Sequence, residues 1–234
     1  MRYQNLPSIE LNFARTLNAA GKQLTRTPAS LPYAVGLKTP KNKHFIEKRH
    51  TKNKIVLHFT AGVLTGDIFT LTENTVSVAF VLARDGTIYE LFNPDFAAYH
   101  LGIGQGYKNG EASFKSIGIE ISNLGPLTLK DNILYDIYGK AYCSTSDTGA
   151  YDKIEYRGYK YYCSYTEEQY SSLKKLIPDI CKKYNIPFSG MPENLRFSTA
   201  PAIAQKSEIG IVSHVNFRTD KFDLAPNFAW NKIL

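Results

Sequence analysis

The chain has 234 residues, is 43% apolar and 21% charged, and carries a formal net charge of +7. That length and composition suit one domain with a substantial core, alone or with an extension. No run of about 18 apolar residues occurs, so no transmembrane helix is expected.

The first residues show no continuous apolar stretch and no small-residue cleavage pattern, so no signal peptide is expected. That leaves a cytoplasmic protein, one that leaves the cell by another route, or a trimmed chain. Cys143, Cys163 and Cys181 make an odd count without a CxxC spacing, which argues against a thiolate metal site. A Cys143–Cys163 disulfide and three free thiols both remain open.

The positive charge is unevenly placed. Residues 1–54 hold 11 Lys and Arg against 2 Asp and Glu, and the remaining residues hold 17 against 19. A basic arm of this kind favours a polyanion such as nucleic acid, a wall polymer or an anionic membrane surface; a solvated leader is the plain alternative.

Taken in order, residues 1–50 read as a basic extension with an amphipathic helix over 9–24 and a Pro- and Lys-rich loop over 25–43. Residues 54–59 form an apolar strand that delivers His58 at its carboxyl end. Residues 76–92 read as a β-hairpin turning at Arg84-Asp85-Gly86. A glycine-rich loop over 103–112 follows Tyr99 and His100. Residues 116–123 then form a short apolar strand interrupted by Glu120, whose side chain alternation puts on the side of Gly118 and Ser122.

Residues 127–165 are dense in tyrosine and read as an insertion of two or three short strands. Thr166 caps an amphipathic helix that ends near Tyr184, with Pro178 expected to kink it or stop it early. Loop and a short helix fill 191–208, and a final strand over 209–213 feeds His214. The expected class is α/β of the mixed α+β kind: a central mixed β-sheet flanked by helices, over 51–234.

Of five histidines, His44 and His50 lie in the basic arm and read as bystanders. His58, His214 and Asp223 offer two imidazoles and a carboxylate, a set suited to catalytic zinc with one open coordination position. Glu120 could then serve as general base, and Lys221 could stabilise a developing oxyanion.

The motifs Leu57-His58-Phe59-Thr60-Ala61-Gly62, the run from Val76 to Gly86, Tyr99-His100-Leu101-Gly102, Ser116 to Glu120, Tyr165 to Gln169, and His214 through Lys221 and Asp223 to Trp230 occur in that order. Together they resemble the zinc-dependent N-acetylmuramoyl-L-alanine amidases of type 2, relatives of phage lysozyme-like amidases and peptidoglycan recognition proteins. The resemblance covers about residues 52–231, apart from the tyrosine-rich insertion. It implies the amidase/recognition-protein fold, Zn²⁺ on His58, His214 and Asp223, a catalytic Glu120 and Lys221, and a substrate groove lined by His100 and Tyr99. The implied reaction cuts the amide between N-acetylmuramic acid and L-alanine of the stem peptide.

Two departures stand out: Val78-Ala79 where relatives often carry a His or Tyr, and Asp223-Leu224-Ala225-Pro226 in place of Asp-Pro-Gly-Pro. The expected partner is peptidoglycan or a muropeptide, with an anionic wall polymer for the basic arm and no nucleic acid. The expected role is that of an endolysin or a delivered lytic enzyme. The alternatives are a non-catalytic peptidoglycan-binding module and a cytoplasmic recycling amidase for anhydro-muropeptides.

Overall fold

A computed structural model describes residues 24–38, 44–104 and 106–234. The expected helix over 9–24 lies outside the described residues, apart from Leu24. In chain order the elements are β1 (Thr25–Thr27), β2 (Val35–Lys38), β3 (Lys54–Phe59), α1 (Leu64–Glu73), β4 (Phe80–Leu82), β5 (Ile88–Glu90), α2 (Asn109–Phe114) and β6 (Ser116–Ile121). There follow β7 (Pro126–Lys130), β8 (Ile133–Tyr135), β9 (Ala141–Ser144), β10 (Tyr151–Tyr156), β11 (Tyr159–Cys163), α3 (Glu167–Tyr184), α4 (Pro201–Ala204) and β12 (Ile211–Ser213). No helix among the described residues is long and apolar enough to cross a membrane.

Seven strands form one mixed sheet in the order β1-β2-β5-β4-β6-β3-β12, as the expected central mixed sheet requires. Its middle is parallel: β12 with β3, β3 with β6, and β4 with β6. A parallel strand covered on both faces must be apolar on both, and all six residues of β3 are buried. Alternate residues feed two cores. Ile55, Leu57 and Phe59 join Leu173, Leu176, Ile177 and Ile180 of α3 in the larger cluster. Val56 and Val212 face the other way, onto Leu101, Met191, Ala204 and Phe217.

The structure corrects several expectations. Residues 25–38 are not a loop of a separate arm: β2 pairs in parallel with β5, Leu31 and Leu37 are buried in the main core, and Tyr33 donates a hydrogen bond to Asp179 of α3 at 2.7 Å. β2 and β3 therefore lie in one sheet. Residues 103–112 are not all loop, because α2 begins at Asn109. Pro178 does not stop its helix, which runs on to Tyr184 from a Thr166–Gln169 capping box to a left-handed Asn185. The carbonyl that loses its bond partner at Pro178 belongs to exposed Lys174, where water can serve it.

The tyrosine-rich insertion is a second sheet of five strands in the order β10-β11-β7-β8-β9, more than the two or three expected. Its own small core holds Leu127, Leu134, Tyr142, Tyr151 and Cys163. All three cysteines are free thiols and buried. The turn into this sheet passes Gly125, at φ 68°, where an added Cβ would meet the Phe59 ring at 2.4 Å.

Candidate active site

Strand register builds the site. His58 of β3 is the direct partner of Glu120 of β6, and Ser213 of β12 is the partner of Leu57, so His214 follows immediately beside His58. Direct partners present their side chains to the same face, so three strand ends aim at one place. They are the carboxyl ends of parallel strands, where open α/β sheets bind their ligands.

Asp223 arrives from the C-terminal loop, tied to the sheet by a hydrogen bond from the Val215 amide to its carbonyl at 2.7 Å. His58 Nδ1 lies 3.0 Å from His214 Nδ1, and Asp223 Oδ2 lies 3.1 Å from each of these nitrogens. A tetrahedral zinc ion about 2.0–2.1 Å from each donor separates its ligands by about 3.3 Å, close to this spacing. The three residues, all buried, are placed to bind a metal ion.

The far nitrogens of both imidazoles are engaged as ligation at Nδ1 demands. His214 Nε2 sits 2.8 Å from the Leu101 carbonyl, which only a protonated Nε2 can satisfy. His58 Nε2 sits 3.0 Å from His100 Nδ1, and His100 Nε2 sits 3.0 Å from Ser116 Oγ. Ser116 Oγ in turn donates to the Ala112 carbonyl at 2.7 Å. Each group in this chain can donate forward and accept from behind, leaving His58 Nδ1 with a free lone pair.

His100 is therefore a buried residue packed behind His58. It is 6% exposed with both ring nitrogens occupied, and it orients His58 from behind. Tyr99 points the other way along its extended segment; it is 39% exposed and its ring packs on Phe114 at 4.9 Å. Among residues to which the sequence assigned no role, Ser116 completes the histidine chain and Gly118 makes room for it. A Cβ on Gly118 would come 2.6 Å from Val78 Cγ1 and 3.3 Å from His100 Cγ. The Val78 departure thus fills space beside His100, and Leu224 and Ala225 of the other departure are fully buried in the core.

Electrostatics match a metal centre. Burial and then the neighbouring His214 lower the His58 pKa to about 4, so the imidazole is neutral near pH 7 and able to ligate. Burial alone would raise Asp223, but its interactions with the adjacent His214 and His58 imidazoles outweigh it and hold the carboxyl below its usual range. Glu120 is raised well above the ordinary carboxylate range, first by burial and then by Asp223 and Asp67, with Lys221 opposing. Its Oε2 is sealed from solvent and has no hydrogen-bond partner. Lys221 makes no ion pair among the described residues, and its charge acts on both His58 and Glu120.

The N-acetylmuramoyl-L-alanine amidase profile, Amidase_2, matches residues 48–223, three quarters of the chain. The chain belongs to this amidase family. No curated protein matches it. Among solved structures it is similar to the E. coli amidase AmiD, in complex with anhydro-N-acetylmuramic acid-L-Ala-D-gamma-Glu-L-Lys, at 21% identity and TM-score 0.52 over 80% of this chain and 58% of that one. AmpDh3 from Pseudomonas aeruginosa is 18% identical with TM-score 0.49 over 80% of this chain and 60% of that one. The endolysin amidase LysCS from Clostridium intestinale URNW is 16% identical with TM-score 0.45 over 88% and 95%. The AmiD likeness supports the amidase fold for the central sheet. The chain spans less than two thirds of the AmiD and AmpDh3 structures.

Proposed function

We propose that the protein is a zinc-dependent peptidoglycan amidase that hydrolyses the bond between N-acetylmuramic acid and L-alanine of the stem peptide. The reading is carried by one observation: the donor atoms of His58, His214 and Asp223 converge beside a register-matched Glu120 whose Oε2 has no partner. Two imidazoles and one carboxylate form a borderline-soft donor set that suits zinc and leaves a coordination position open. Zinc held there would supply Lewis acidity and activate water near neutral pH.

The protein's own groups carry the protons. Glu120 accepts a proton from the attacking water at Oε2 and passes it to the stem-peptide nitrogen as the carbon–nitrogen bond breaks. A raised pKa serves the second half of that task, since a stronger acid would hold the proton too weakly to deliver it. Lys221 neutralises the negative charge that develops on the lactyl carbonyl oxygen. His100 and Ser116 keep His58 in the ligating tautomer.

The role we favour is wall lysis, as an endolysin or delivered enzyme. It is supported by the basic excess of residues 1–54, which suits an anionic wall polymer. A second reading, cleavage of soluble fragments, has support from the anhydro-muropeptide bound by AmiD. Mass spectrometry of purified sacculi and of soluble anhydro-muropeptide after digestion separates the two. Free stem peptides beginning with L-alanine, lost on chelation, support the amidase. Product from fragments alone moves the role to recycling, and no product from either contradicts the activity.

A further inference from the structure

The loop that carries Lys221 and Asp223 has little regular structure of its own, yet the β10–β11 hairpin of the insertion grips it at three places. At the hairpin tip, Arg157 donates through Nη1 to the Thr219 carbonyl, two residues before Lys221, and through Nη2 to Thr199 Oγ1 at 3.3 Å. Thr199 Oγ1 donates to the Val215 carbonyl at 2.9 Å, and the Val215 amide holds the Asp223 carbonyl. On the hairpin's second strand, the Tyr159 ring meets the Phe222 ring edge-on at 5.6 Å, between Lys221 and Asp223. At the hairpin base, Asn227 Nδ2 donates to Asp152 Oδ2 and to the Cys163 carbonyl, each at 3.0 Å.

The turn itself points the same way. Arg157 and Gly158 both have positive φ, 49° and 84°, the signature of a two-residue I′ turn. Asn-Gly is the preferred pair there, because asparagine tolerates the left-handed region that disfavours a long side chain. Arginine at this position is locally unfavourable, and its guanidinium is committed to Tyr156 Oη at 2.9 Å, Thr199 and Thr219. Tyr156 Oη continues to the Phe197 carbonyl at 2.9 Å. A backbone outlier retained where its side chain ties three segments together is a candidate for function.

We propose that the β10–β11 hairpin is a strap that sets the position of Lys221 and Asp223, and that Arg157 is its positioning residue. The insertion thus becomes part of the catalytic apparatus without touching substrate. This rests on the metal-hydrolase reading above.

Arg157→Asn separates the strap from the fold, because it improves the turn while removing the guanidinium. Zinc transfer from the loaded protein to a chromogenic chelator is compared with wild type, alongside thermal melting and the kcat and KM of muropeptide cleavage. The expected result is melting at or above wild type, zinc transfer about tenfold faster, and kcat lowered about tenfold with KM nearly unchanged. Arg157→Lys, which keeps a donor, should recover part of both losses. Unaltered zinc transfer in Arg157→Asn overturns the proposal. If wild type cleaves no peptidoglycan the amidase reading fails, and the zinc-transfer comparison still decides the strap.

Discussion

His58 Nε2 lies 3.0 Å from His100 Nδ1, so the tautomer of one buried histidine is set by another. His100→Ala should remove that control, and losing the hydrogen-bond partner of a metal-ligating histidine weakens metal binding by about 10- to 100-fold. Competition with a calibrated zinc chelator measures it. Ser116→Ala, one step further along the chain, should weaken binding less. Unchanged affinity in His100→Ala would show that His58 holds its orientation without help.

Gly118 lies two residues before Glu120 on the same face of β6, pressed against Val78 and His100. Gly118→Ala should force both neighbours aside, costing about 1–3 kcal/mol of stability by overpacking and loosening zinc together. Urea unfolding and the chelator assay report the two effects. A stable variant with normal zinc affinity would mean that the His100 ring can shift freely.

Much of this site is legible in the sequence because its chemistry interrupts apolar strands. His58 ends a buried run, Glu120 breaks the sequence Ile119-Glu120-Ile121, and His214 follows Ile211–Ser213. The Thr166–Gln169 capping box announces α3 in the same way. What is not legible depends on contacts far along the chain. β1 and β2 look like a loop because their strand character comes from pairing β2 with β5. α1 escapes notice because its N-cap, Val63, makes no side-chain capping bond. His100 sits in a motif suggestive of a groove, yet Ser113 and Ser116 draw its segment inward.

Asp67, on α1, accepts a hydrogen bond from Ser122 Oγ at 2.9 Å, and burial raises its pKa to about 7. The folded value exceeds the unfolded value of about 3.9, so the protein binds more protons than the unfolded chain between them. Its contribution is fully present below about pH 4 and is lost as pH rises towards about 7. Asp67→Asn, which keeps an acceptor for Ser122, should flatten that dependence and stabilise the protein at pH 8 by about 2–4 kcal/mol at most. Urea titrations at pH 5 and pH 8 test this; an Asn variant with the wild-type pH slope would place the dependence elsewhere.

In the proposed mechanism Glu120 carries the proton beside a metal held by three other residues. Its most direct test is Glu120→Gln, assayed for both bound zinc and release of L-alanine-terminated stem peptides. The predicted result is wild-type zinc content with turnover reduced about 10²- to 10⁴-fold, the range expected for loss of a general acid–base group. Zinc retained with undiminished turnover would contradict the assignment of Glu120 and the mechanism built on it.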